Sequence, residues 1–113
     1  MTKNNKLGKG RFELSKDHEQ AVRLFSAGQQ DEAEALFRRL LQRNKGDVYA
    51  MYHLAVILHA RKRHSEGLGW AEQGVALAPG FAPIWAVHAV LHQALGHNDV
   101  ALKGRTPKLF NLG

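Results

Sequence analysis

The sequence predicts an all-α fold of antiparallel helix-turn-helix units stacked side by side, and three observations predict it. Small residues return at an interval of about 34 residues: Ala21, Ala55 and Ala89 form one series, and Ala33, Gly67 and Ala101 form another. A third series, Gly28, Lys62 and Gly96, falls where one helix must stop and the next begin. Between these marks the apolar residues recur three and four apart instead of alternating, the period of a helix face and not of a strand. Two helices of this length cannot bury their apolar faces alone, so the units must stack.

The first helix runs from about Leu14 to Ala27 on Leu14, Ala21, Val22, Leu24 and Phe25, with Ser15 and His18 a weak start signal and Gly28 its stop. Asp31, followed by Glu34, reads as an N-cap and capping box for a second helix striped by Ala33, Leu36, Phe37, Leu40 and Leu41. Asn44, Lys45 and Gly46 close it. Asp47 caps the third helix, whose packing stripe is Met51, Leu54, Ala55, Ile57 and Leu58 up to about Ala60. The basic link from Arg61 to His64 takes the place of a glycine turn.

Ser65 reads as the cap of a fourth helix holding Leu68, Trp70, Ala71, Val75 and Leu77, ended by Pro79 and Gly80. Gly67, Gly69 and Gly74 lower its helix propensity, so packing must hold it. Pro83 suits the first turn of a fifth helix that reaches about Leu95 and stops at Gly96. A sixth starts at Asn98 or Asp99 and is cut short by Gly104 and Pro107. The expected organisation is a basic flexible segment at 1–13, repeats at 14–47, 48–81 and a partial 82–107, and a tail at 108–113.

The chain has 113 residues and no cysteine, which bounds it to one domain without disulfides or a thiolate metal site. It carries no glycine-rich phosphate loop, nucleophile elbow or convergent carboxylate pair, so no catalytic residues and no enzyme are predicted. The charge of +6 gathers at Lys3 to Arg11, Arg38 to Lys45, Arg61 to Arg63 and Lys103 to Lys108. Short basic runs at helix ends are solvated or offset the helix dipole, which ranks a nucleic-acid-binding module third among the functional readings. No apolar run reaches signal-peptide or membrane-span length, and a cytoplasmic protein away from the membrane is expected.

His88 and His92 lie one turn apart and could offer two imidazoles to zinc or nickel. The intervening Glu of a metalloprotease and a third ligand are missing from the motif. The pair aligns with Leu54 and Leu58 of the preceding unit, so both are read as packing residues, with neither metal nor cofactor expected. Trp70 and Trp85 are read as hairpin core.

This pattern resembles the tetratricopeptide repeat family, with its large apolar residue, Leu-Gly-like pair and aromatic, then Ala, an aromatic and a closing Pro. The middle copy matches through Met51, Leu54, Ala55, Leu58, Gly67, Ala71 and Pro79, and the first through Gln20, Ala21, Leu24, Ala33, Phe37 and Lys45. The third matches through Trp85, His88, Ala89, His92 and Ala101. The resemblance implies a short right-handed α-solenoid, a non-catalytic adaptor or scaffold for protein-protein interaction. Its first helices would line a groove for a partner's peptide or helix: Tyr49, Tyr52, His53, Val56 and His59 from the middle copy, with Tyr49 and Tyr52 as anchors. Pro83, Ala86, Val90 and Gln93 would follow from the third copy, and Ser15, His18 and Val22 from the first.

Members that clamp chaperone carboxylates use Lys, Asn and Arg there. The places here hold His18, Val22, His53, Pro83 and Val87, so that subclass is rejected. The unfinished third repeat leaves three endings open: a tail folding back through Leu109, Phe110 and Leu112, a homodimer through the C-terminal ends, or a longer protein. In the last case the repeats would be the substrate-docking arm of a glycosyl- or sulfotransferase.

Overall fold

A computed structural model describes residues 15–96, and they form five helices with no strand among them. They are α1 (Lys16–Ser26), α2 (Gln30–Arg43), α3 (Val48–Ala60), α4 (His64–Leu77) and α5 (Ala82–Ala94). Each helix packs on the next, and the odd-numbered helices also touch one another, α1 against α3 and α3 against α5. That is the layering of stacked hairpins. The expected sixth helix, the N-terminal segment and the tail lie outside the described residues.

The core falls into two groups that meet at α3. Phe37, Leu40 and Leu41 of α2 pack with Met51, Leu54, Ile57 and Leu58 of α3, while Ala55 joins Ala71, Ile84, Val87 and Leu91. Trp70 packs against both groups. Packed by α2 and by α4 with α5, α3 is the central helix and is mostly apolar, with six of its residues buried.

Two helix starts follow the sequence and two depart from it. Ser15 proves a full cap for α1: its hydroxyl accepts from the His18 N–H while the Ser15 N–H donates to His18 Nδ1. Asp47 accepts from the Ala50 N–H at 3.0 Å at the start of α3. Asp31 caps nothing, because α2 starts earlier, at Gln30, and its carboxylate instead meets Arg61 at 2.6 Å. Glu34 is turned inward onto arginines. Nor does Ser65 cap α4, which already begins at His64.

The early restart of α4 comes from the turn before it. Lys62 has φ 64°, matching Gly28 at 83° and Gly96 at 84°, so the basic residue adopts the left-handed conformation that glycine takes at the same point of the other periods. The Arg63 N–H reaches back to the Leu58 carbonyl at 2.8 Å, just as Gln29 reaches Leu24 at 2.9 Å. A side chain at this conformation is strained by about 1 kcal/mol. Lys62→Gly is therefore expected to stabilise the chain by about 1 kcal/mol, and Lys62→Ala by nothing, read from the urea midpoints of the two variants.

Candidate functional site

The aromatic residues of the first helices form a connected run. His53 of α3 stacks on Phe37 at 5.0 Å between centroids and meets the rings of Phe25, Tyr49 and Tyr52 at 6.3, 4.6 and 4.9 Å. Burial pushes its pKa below the ordinary histidine value, against a hydrogen bond from Nδ1 to the Tyr49 carbonyl, and the nearby His18 lowers it further. Tyr49 sets an edge against His18, and Tyr52 one against Phe81 at the head of α5. Rings thus run from α1 through α3 to α5.

The predicted groove residues take different places. Tyr49, Tyr52 and Val56 are half-buried on α3, each with surface left to offer, whereas His53 is wedged among its neighbours. His18 is also occupied, with Nδ1 at 2.8 Å from the Ser15 hydroxyl and Nε2 at 2.7 Å from Asp47. His59 turns toward the α3–α4 junction, its Nδ1 3.2 Å from that of His64. Pro83, Ala86, Val90 and Gln93 are exposed along α5, at spacings that put them on one stripe.

Trp85 departs from its expected place in the core. It is 46 % exposed, held at the surface by a 2.8 Å bond from its Nε1–H to the Pro79 carbonyl. The position faces outward because Ile84 and Val87 take the buried side of α5. Trp70 is half-buried and lines a recess of about 360 Å³ with Arg38, Leu41, Gln42, Lys45 and Gln73, between α2 and α4. That recess was not expected from the sequence, whose one signal for it was a tryptophan in a glycine-rich helix.

Three of the basic residues, Arg38, Arg61 and Arg63, are paired internally. Glu34 accepts from Arg38 at 2.8 Å, Arg63 at 3.1 Å and Arg61 at 3.4 Å, and Glu66 accepts from Arg38 at 2.6 Å and Arg63 at 2.9 Å. Burial alone would lower the Arg38 pKa, but its bonds to Glu66 and Glu34 raise it. The Glu66 bond raises Arg63, and Arg38 in turn lowers Glu66. A guanidinium shared between two carboxylates is no longer an open phosphate contact.

His88 and His92 face Glu72 of α4. Burial lowers the His88 pKa first, the charge of His92 lowers it further, and Glu72 opposes both.

A tetratricopeptide repeat family model matches residues 24–91, a stretch two periods long that runs from the end of α1 into α5. The chain belongs to the tetratricopeptide repeat family. Tetratricopeptide repeats are in general protein-interaction modules, and the family is typically non-catalytic. Of the candidates on α3 and α5 only Gln93 lies beyond the matched stretch of this tetratricopeptide repeat chain. No curated protein matches it closely enough to count as a relative. Among the described residues no helix is long and apolar enough to cross a membrane.

Proposed function

We propose that this chain is a non-catalytic adaptor that holds a peptide or helix of a partner protein against the face made by its odd-numbered helices. The observation that carries the reading is the division of the surface. Half-buried Tyr49, Tyr52 and Val56 and the exposed stripe Pro83, Ala86, Val90 and Gln93 offer aromatic and apolar contact with no formal charge. Arg38 of α2 and Arg61 and Arg63 of the α3–α4 turn are instead engaged by Asp31, Glu34 and Glu66. Tyrosines already packed against His18 and Phe81 lose little side-chain freedom on binding, which suits them as anchors. The cysteine-free composition suits work in the cytoplasm.

Photo-crosslinking separates the two faces of the stack. A crosslinker at Val90 is expected to capture the partner and one at Gln73, in the recess between α2 and α4, is not. Val90→Lys, at an exposed position, is expected to abolish capture with the helical circular dichroism unchanged. Capture from Gln73 but not Val90 would move the site to the opposite face.

A further inference from the structure

Glu72 is the one carboxylate of the sequence between Glu66 and Asp99, and His88 and His92 are its one pair of histidines spaced four apart. The fold brings the three together across the α4–α5 contact. Four-residue spacing sets both imidazoles on one face of α5, with centroids 4.6 Å apart at 70°. Glu72 Oε2 lies 3.9 Å from the Nε2 atom of each, and one donor atom from every residue lies within 4.8 Å of the others.

These distances have a particular size. At 3.9 Å the carboxylate is beyond hydrogen-bond reach of either ring. A tetrahedral zinc with bonds of about 2.0–2.1 Å holds its ligand atoms about 3.3 Å apart, so the two carboxylate–imidazole distances must close by about half an ångström and the widest donor separation, within 4.8 Å, by up to about 1.5 Å through rotation of the imidazoles. The histidines are largely buried, with side chains 17 % and 9 % exposed, and Glu72, at 56 %, can swing inward from the solvent side. Donor type agrees as well, since imidazole and carboxylate are the usual zinc ligands where no thiolate exists.

The repeat supplies an independent comparison. One period earlier, His88 and His92 correspond to Leu54 and Leu58, both fully buried, and Glu72 corresponds to Arg38. Where the middle unit has two core leucines opposite a cation, the last has three residues able to ligate a metal.

We propose that Glu72, His88 and His92 bind a divalent transition-metal ion, zinc foremost, with the remaining coordination open to water or to a donor from a bound protein. The ion ties α5 to α4, so binding it stabilises the last described helix contact. This differs from the expectation of packing histidines and no metal. The motif looked short of a ligand because the third donor comes from the preceding helix.

Calorimetric titration of untagged protein with zinc chloride is expected to show one ion bound per chain and a melting temperature that rises with zinc. Glu72→Gln, at an exposed position, and His88→Ala are each expected to weaken binding at least about tenfold. The cobalt-loaded wild type should show the visible bands of tetrahedral coordination, absent from Glu72→Gln. His59→Ala, which removes the other facing histidine pair, should bind zinc like the wild type. Absence of heat with wild type, full affinity in Glu72→Gln and His88→Ala, or loss in His59→Ala would each overturn the assignment. None of these measurements requires the partner protein.

Discussion

Gly67→Leu is expected to destabilise the chain by about 3 kcal/mol, while Gly69→Ala in the same helix stabilises it by up to about 1 kcal/mol. Gly67 is buried where α4 crosses both neighbours: a Cβ there would lie 3.3 Å from the Ala55 carbonyl oxygen, from Leu58 Cβ and from Leu91 Cδ2. The first of these is backbone. It cannot give way unless α3 moves, and α3 is held by the core on its far side. A Cβ on Gly69 meets nothing within 4 Å, so alanine there adds helix propensity at no steric cost. Gly74→Ala falls between the two, because its single Cβ would sit 2.7 Å from Cγ1 and 2.8 Å from Cδ1 of the fully buried Ile84, which must shift, yet it adds far less volume than leucine. Urea midpoints at constant m value check the order Gly69→Ala above wild type, Gly74→Ala intermediate and Gly67→Leu lowest. Stabilisation by Gly67→Leu would show that propensity, and not close approach, explains the glycines of α4.

The small-residue series was legible in the sequence because close helix crossing is a local requirement repeated at every hairpin. Ala33 and Gly67 occupy one structural place, and either residue meets its demand. The turn at Lys62 was legible by register alone, since nothing in lysine announces a left-handed backbone. Asp31 and Ser65 misled because a capping residue beside a helix start satisfies the local pattern whether or not its side chain is used. Their alternatives depend on the second hairpin: Arg61 and Arg63 come back across the stack to α2, and no window of α2 contains them. The pair His88 and His92 was named from the sequence, but Glu72, across on α4, escaped for the same reason, as did the exposure of Trp85. Of the groove residues the sequence named, those with committed rings or nitrogens, His18, His53 and His59, take their roles from partners on other helices or across a turn.

Glu34→Ala is expected to cost about 2 kcal/mol and Asp31→Ala less than about 0.5 kcal/mol, although both carboxylates are paired with Arg61. Asp31 is 84 % exposed at its side chain, and water replaces most of what its 2.6 Å contact supplies. Glu34 is 11 % exposed and accepts from three guanidiniums that converge from α2 and the α3–α4 turn. Its removal leaves three like charges together with only Asp31 and Glu66 to balance them. Breaking a fully buried pair costs about 3–5 kcal/mol, and the partial exposure of Arg38, Arg61 and Arg63 brings the figure down. Because the loss is mostly repulsion among partly solvated cations, high salt should recover part of it, and Glu34→Gln, which keeps the shape and one acceptor, should lose less than Glu34→Ala. Thermal melts of the three variants at low and high salt provide the check. Equal losses at Asp31 and Glu34 would mean that the two acids act through the start of α2. The unequal losses expected here instead make Glu34 the ionic tie between the first hairpin and the turn of the second.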